Sequence, residues 1–185
     1  MHQTEPSFEE LLETLKVAAA ALRDADVPFV LGGGLAIWAR GGPETEHDVD
    51  FFVKPDDAER AWNALEDAGF RTEDPPEGWL YKGFLDGVMV DLIYAPSGLA
   101  VDDAFIDRAE EREVHALRMP VMRADDVLVA KLLTLREHQV DYDQVLEIAR
   151  NVREQIDWDD VRARTGDSPY AKAFFTLVDE LGVSA

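Results

Sequence analysis

The chain contains no cysteine, and this absence excludes several kinds of site at once. Without thiols there is no disulfide framework, no thiolate metal site and no cysteine nucleophile. Long apolar runs are also missing, since none approaches the ~20 residues that a membrane helix needs. Residues 1–5 lack the basic start and apolar stretch of a secretory signal. We therefore expect a cytoplasmic protein that does not enter the membrane.

Basic residues are scarce, with 18 Lys and Arg against 39 Asp and Glu, and the formal net charge is −21. Such a charge repels nucleic-acid phosphates at long range, so a long polynucleotide partner is disfavoured. The same acidic excess also serves solubility. Hydrophobic residues make up 46% of the 185, which is enough to bury the core of one globular domain.

The first half of the chain reads as an alternation of helices and strands. Ser7 and Glu10 form a capping box, after which apolar residues recur at helical spacing and predict a helix from Phe8 to Asp24. Apolar runs at Val27–Leu31 and Val49–Val53 predict two strands, separated by a glycine turn and a short helix.

Two hairpins and a helical region are predicted further along. The dipeptide Asp86-Gly87 lies between the apolar runs Tyr81–Leu85 and Val88–Tyr94, which is a strong hairpin signal. A second hairpin is expected within Glu113–Met122, and the pattern beyond it is helical. We expect an α/β core over residues 1–123 and a C-terminal helical region over residues 124–185 that packs on it.

Asp48 and Asp50 form the Asp-x-Asp pair with the best claim to chemistry. Side chains alternate along a strand, so both point to one face with Cα atoms about 7 Å apart, close enough to share a metal ion. An isolated Asp-x-Asp is weak evidence, and the chain has three others. These are Asp24/Asp26, Asp141/Asp143 and Asp157/Asp159. The first closes a helix, and the last two lie in helical surroundings, where capping or surface roles are expected.

Asp91 interrupts the otherwise apolar strand Val88–Tyr94. A buried lone carboxylate costs several kcal/mol unless it is paired, protonated or bound to a metal. If its strand lies beside the strand of Asp48 and Asp50, three carboxylates converge on one metal site. The alternative is an Asp at a strand end that is held by backbone N–H groups.

Two further features concern nucleotide binding. Gly32-Gly33-Gly34 stands at a helix start, where backbone N–H groups can approach a phosphate, although a tight turn explains the glycines equally well. Lys131 is the cation of an apolar helical stretch, and it either extends to solvent or faces a negative group such as a nucleoside triphosphate.

Taken together, these residues resemble the pattern of the DNA polymerase β-like nucleotidyltransferases: a glycine turn, a short helix, Asp-x-Asp and a third Asp on a later strand. Gly33-Gly34, Asp48-Val49-Asp50 and Asp91 follow that order. The run from Gly32 to Arg40, followed by Glu46-His47, is similar to the small bacterial nucleotidyltransferases that modify aminoglycosides and lincosamides.

The resemblance implies a mixed sheet flanked by helices, with a C-terminal helical extension. It implies that Asp48, Asp50 and Asp91 hold two Mg²⁺ ions and carry catalysis, and that Lys131 and the three glycines from Gly32 to Gly34 bind a nucleoside triphosphate such as ATP. The implied reaction transfers a nucleoside monophosphate to an acceptor hydroxyl, with a small aminoglycoside-like molecule favoured as acceptor.

Three points stay open at the level of sequence. Gly34 stands where many members of the superfamily carry Ser, so a hydroxyl contact to phosphate is lost. His47 contacts phosphate or is ordinary surface. The alternative functions are a nucleotide-binding or toxin–antitoxin module without turnover, and a transferase that acts on tRNA or on a protein.

Overall fold

A mixed β-sheet lies at the centre of the computed structural model, which describes residues 6–45, 48–137 and 139–184. Within those residues the sheet has seven strands in the spatial order β3-β4-β5-β2-β1-β7-β6. The strands are β1 (Phe29–Leu31), β2 (Asp48–Val53), β3 (Arg71–Glu73), β4 (Leu80–Leu85), β5 (Val88–Ile93), β6 (Glu110–Val114) and β7 (Leu117–Val121).

Helices surround the sheet. They are α1 (Phe8–Asp24), α2 (Gly33–Trp38), α3 (Ala58–Asp67), α4 (Asp103–Arg108), α5 (Ala124–Thr134), α6 (Tyr142–Asn151), α7 (Trp158–Thr165) and α8 (Pro169–Glu180). Helices α1 and α3 pack on each other and on the central strands, whereas α5 contacts α2 and the three helices after it. The predicted α/β fold, with a mixed sheet and C-terminal helices, is confirmed.

The first helix has the bounds that its sequence predicts. The Ser7 hydroxyl accepts a hydrogen bond from the Glu10 N–H at 3.3 Å, and the Glu10 carboxylate accepts one from the Ser7 N–H at 2.7 Å. This reciprocal capping satisfies donors that a helix start otherwise leaves free. The buried face of α1 includes Leu11, Leu15 and Leu22, so the apolar spacing turns one side of the helix to the core.

Strands β2 and β5 form the middle of the sheet and run parallel to each other. On one face of this pair, Val49, Phe51, Val90 and Leu92 are buried in the core. Because side chains alternate along a strand, the intervening residues point to the opposite face. That opposite face carries the aspartates.

The structure differs from the sequence prediction by more than one residue at two strand boundaries. The first strand begins at Phe29 rather than Val27, because the Val27 N–H bonds the Leu22 carbonyl at 2.9 Å and Pro28 has no N–H to donate. The second hairpin begins at Glu110 rather than Glu113, since Glu110 pairs with Val121 across β6 and β7.

Ion pairs with a buried aspartate connect helices α4, α5 and α7. Asp126 at the start of α5 is 2% exposed, and its carboxylate accepts hydrogen bonds from Arg164 of α7 at 2.5 Å and from Arg108 of α4 at 3.1 Å. Acidic residues at this end of α5 also interact favourably with the helix dipole. These contacts fix the position of α5. A division of the chain after residue 123 stays a prediction.

Some expectations concern residues outside the described part of the chain. One is the lack of a secretory signal in residues 1–5, which supports the expected cytoplasmic location. The others are the roles of Glu46 and His47. Among the helices that the structure does describe, none is both long enough and apolar enough to cross a bilayer.

Candidate active site

Three carboxylates meet on the aspartate-bearing face of the sheet. In the parallel pairing of β2 and β5, Asp50 lies directly opposite Asp91, and Asp48 lies two residues earlier on the same face. One carboxylate oxygen from each of the three residues lies within 4.8 Å of the others. Asp91 is buried, and the other two are partly buried. The strand adjacency on which the sequence argument depended is therefore present.

The glycine turn packs directly against Asp50. The Gly32 N–H donates a hydrogen bond to the Asp50 carbonyl at 2.8 Å, which joins the turn to β2. Gly33 has a φ of +56°, and a Cβ at this position would lie 1.7 Å from Oδ2 of Asp50. Only glycine leaves room for the carboxylate at the start of α2.

The next glycine explains a departure from the superfamily pattern. A Cβ on Gly34 would lie 2.6 Å from Oγ1 of Thr45, so a serine at this position collides with the threonine unless one of them moves. The Thr45 hydroxyl already occupies the space beside the turn. Backbone N–H groups at the start of α2 are the remaining donors there.

Burial makes the negative charge of this cluster costly. It raises the pKa of Asp50 to about 7, with a further rise from Asp48 and then from Asp91, against the opposing charges of Lys131 and Lys82. Burial also raises the pKa of Asp91, although its hydrogen bond with Lys82 acts in the opposite direction. Burial is the largest cause of both pKa shifts, so each carboxylate has lost hydration that a bound cation would replace.

Lys82 is a member of the cluster that the sequence argument missed. Its Nζ donates to Oδ1 of Asp91 at 3.0 Å and lies 3.4 Å from Oδ2. The sequence did contain a signal for it. A two-residue turn at Asp86-Gly87 pairs Leu85 with Val88, and counting outward along the hairpin then pairs Lys82 with Asp91.

Lys131 lies on α5 and faces the carboxylates. Its Nζ donates a hydrogen bond to Oε1 of Gln144 at 3.2 Å, and its charge lowers the pKa of Asp50. It lines both of the cavities that flank the aspartates. Of the two interpretations of Lys131, extension to solvent or a position facing negative groups, this geometry favours the second.

Two cavities are lined by the three carboxylates. The one that we term the Asp91 cavity has a volume of ≈ 170 Å³ and is lined by Asp50, Asp91 and mainly apolar side chains. The Asp48 cavity has a volume of ≈ 240 Å³, and its lining includes Gly34, Thr45 and Asp48. Asp50 and Asp91 thus line one cavity and Asp48 the other, and Lys131 lines both.

The other Asp-x-Asp pairs play the structural parts expected of them. Asp141 caps α6 by accepting a hydrogen bond from the Asp143 N–H at 3.0 Å. Asp157 caps α7 through the Asp160 N–H at 3.1 Å. Asp24 is the last residue of α1, and Asp26 comes after the C-cap residue Ala25.

The chain matches one family model over most of its length. The family is described as "Uncharacterised nucleotidyltransferase", and the match covers residues 8–178. No curated protein matches the chain in sequence.

Several solved structures share the fold at low sequence identity. The antibiotic-resistance factor ANT(2″)-Ia, solved in complex with adenylyl-2″-tobramycin, aligns with a TM-score of 0.64 and 14% identity over 89% of this chain and 97% of its own. The lincosamide antibiotic adenylyltransferase LnuA, lincomycin-bound, aligns with a TM-score of 0.55 and 15% identity over 81% and 98%.

An antigenic nucleotidyltransferase-like protein from Paracoccidioides brasiliensis is similar as well. It aligns with a TM-score of 0.56 and 14% identity over 92% of this chain and 88% of its own. At these identities the likenesses show the fold alone.

Proposed function

Because the chain belongs to this family of nucleotidyltransferases, we propose that it transfers the monophosphate part of a nucleoside triphosphate, such as ATP, to a hydroxyl of a small acceptor molecule. The observation that carries the proposal is the convergence of Asp48, Asp50 and Asp91. One oxygen from each lies within 4.8 Å of the others, beside a glycine turn and a lysine.

The donor set fits a pair of Mg²⁺ ions. All three side chains offer carboxylate oxygens, which Mg²⁺ prefers, and their mutual repulsion is relieved by a bound cation. Ions held by these oxygens would supply positive charge that offsets the negative charge of the reacting phosphate. Asp48 and Asp50 would hold both ions, and Asp91 would complete the site on the acceptor side.

Other residues of the chain bind and orient the nucleotide. Lys131 supplies a charged donor to the triphosphate, and the free N–H groups at the start of α2 supply neutral ones. Gly33 keeps these N–H groups close to Asp50, since any side chain there would enter the carboxylate. Positioning and charge neutralisation of this kind provide most of the rate in phosphoryl-type transfers.

The transfer balances without a covalent enzyme intermediate. The acceptor oxygen forms a bond to the α-phosphorus, and the bond from that phosphorus to the β-phosphate oxygen breaks. Pyrophosphate leaves with the electron pair, and the hydroxyl proton passes to Asp91. The hydrogen bond from Lys82 orients the Asp91 carboxylate for this role.

A small acceptor is favoured over a long nucleic acid. The net charge of −21 opposes the approach of a polynucleotide. Two proteins with the same fold were solved with small antibiotics or their adenylylated product, tobramycin for ANT(2″)-Ia and lincomycin for LnuA. These proteins support the class of acceptor without naming the molecule.

A label-transfer assay tests the proposal. The protein is incubated with Mg²⁺ and each nucleoside triphosphate, labelled at the α- or the γ-phosphate, together with aminoglycosides, lincosamides, tRNA or cell lysate. We expect α-label on an acceptor, release of pyrophosphate, and loss of both in Asp48→Asn. Transfer of the γ-label, or nucleotide binding without product for any acceptor, would contradict it.

A further inference from the structure

The Asp91 cavity has walls that differ in chemistry from those of the other compartment. Its walls are mainly apolar and aromatic, and they include Phe52, Trp79, Ile93, Leu99, Met122 and Val127. Among the described residues, the charged side chains that line it are Asp50, Asp91 and Lys131. The Asp48 cavity is more polar: beside apolar Ile37, Pro43 and Ile148 it is lined by Glu44, Thr45, Asp48, Lys131, Gln144 and Glu147.

The position of the carboxylates assigns a role to each compartment. Asp91 lines the apolar cavity and Asp48 lines the polar one. In the proposed function, on which this inference rests, Asp91 belongs to the acceptor side of the reaction. The acceptor therefore enters the apolar cavity. The triphosphate lies in the polar cavity beside Gly34 and Lys131, where the Mg²⁺ ions of the proposed function would offset the charges of Glu44, Asp48 and Glu147.

We infer that the acceptor is an uncharged alcohol whose hydroxyl is carried on a ring-sized apolar body that packs against Trp79. An apolar wall stabilises such a body by removing its surface from water. The hydroxyl at its end reaches Asp91 and the α-phosphorus, and the transfer proceeds with the bond changes given above.

The same walls disfavour a polycationic acceptor. An ammonium group loses its hydration on entering an apolar cavity and needs a paired anion there. Asp91 is already bonded to Lys82, and in the proposed function Asp50 and Asp91 both bind cations. Lys131 adds a further positive charge to the wall. A volume of ≈ 170 Å³ is also below the ~300–1,000 Å³ that buries a drug-sized ligand.

Trp79 offers a direct way to test the acceptor site. Its carbonyl accepts hydrogen bonds from the N–H groups of Tyr94 and Ala95 at 3.0 and 3.1 Å, so the backbone stays anchored when the side chain is removed. The ring is only partly buried, which limits the loss of core packing. Trp62 is a matched control, since this partly buried Trp packs on Tyr81 at 4.6 Å and lines neither cavity.

The experiment compares two acceptors of the same shape that differ in charge. 2-Cyclohexylethanol is neutral, whereas 2-(piperidin-4-yl)ethanol carries a ring ammonium at neutral pH; tobramycin and tRNA serve as polycationic and macromolecular acceptors. Transfer of α-label from ATP and Mg²⁺ is measured for the wild type, Trp79→Ala and Trp62→Ala. Nucleotide affinity is measured separately by titration calorimetry.

We expect the neutral alcohol to be used at least roughly tenfold better, by kcat/KM, than its charged analogue. Trp79→Ala should raise the KM for the neutral alcohol roughly tenfold with unchanged nucleotide affinity, and Trp62→Ala should change neither. Transfer to tobramycin but to neither alcohol would overturn this inference and leave the proposed function standing. Transfer to tRNA alone would overturn both, because the proposed acceptor is a small molecule.

Two other results also count against the inference of an apolar, uncharged acceptor. Weaker nucleotide binding in Trp79→Ala with an unchanged acceptor KM would make the apolar cavity a nucleobase site, which overturns the inference alone. Absence of label transfer to every acceptor, in a wild-type protein that binds the nucleotide, would overturn the proposed function and this inference together.

Discussion

Replacing Asp50 by Asn should stabilise the metal-free protein at neutral pH, because it removes a charge that the folded state holds at a cost. Burial, followed by the neighbouring Asp48, raises the pKa of Asp50 from 3.8 to about 7. The folded state thus binds this proton more tightly than the unfolded chain does. The stability that the group contributes is fully present below about pH 4 and is lost as the pH rises to about 7. The difference between the folded and unfolded pKa of Asp50 corresponds to about 4 kcal/mol in the free energy of unfolding.

Urea unfolding in the presence of a chelator measures this effect. Between about pH 5 and about pH 8, Asp50→Asn should gain stability relative to the wild type and reach a difference of about 4 kcal/mol. Asp107→Asn is the control, since it removes the same charge from an exposed position on α4. The free energy of unfolding of Asp107→Asn, relative to the wild type, should show no such gain over this range of pH.

Added Mg²⁺ provides the second half of the test. At a concentration of about 100 times its Kd, a cation that binds the folded state stabilises it by about 2.7 kcal/mol. The wild type should show this gain at neutral pH, and Asp50→Asn should lose most of it. The reasoning is refuted if Asp50→Asn is less stable than the wild type in chelator at every pH, since the carboxylate would then be a structural group.

Two further substitutions test the surroundings of the carboxylates. Gly33→Ala should reduce transfer by at least roughly a hundredfold in a steady-state assay, because its Cβ would enter the Asp50 carboxylate. Gly41→Ala is the control, since Gly41 also has a positive φ but its Cβ would meet no such contact, and this variant should retain transfer. Equal activity of the two variants would contradict the prediction. Lys131→Ala should weaken nucleotide binding roughly 10- to 100-fold in calorimetry, while its melting temperature stays near that of the wild type. Lys16→Ala, on the surface of α1, is the control and should leave nucleotide affinity unchanged. An unaltered affinity in Lys131→Ala would assign this lysine to the solvent-exposed surface.

Much of the fold could be predicted from the sequence because local signals agree with the tertiary structure. The capping box at Ser7 gives the start of α1, and Asp86-Gly87 gives the turn between β4 and β5. Strand ends were less predictable, because they depend on tertiary hydrogen bonds. Glu110 joins the sheet by pairing with Val121, and no local pattern shows that partner.

The candidate site could be predicted only in part, for a related reason. Asp91 was recognisable as a charge in an apolar strand, and the pairing of that strand with β2 came from the resemblance rather than from spacing. The pairing of Lys82 with Asp91 could have been counted from the turn of the hairpin, but Lys82 belongs to no recognisable motif. The apolar lining of the Asp91 cavity could not be predicted, since Trp79, Leu99 and Val127 are far apart in the chain and meet only in the folded protein.

The measurement that tests the three-carboxylate site most directly is a single-turnover assay of Asp91→Asn, together with its nucleotide affinity and melting temperature. Asn keeps the volume and part of the hydrogen bonding but removes the charge on the acceptor side. We predict that nucleotide and Mg²⁺ still bind, while the rate of transfer falls by roughly a hundredfold or more. A loss of about 1 kcal/mol in stability with near-wild-type turnover per folded molecule would make Asp91 a structural residue and contradict the proposed site.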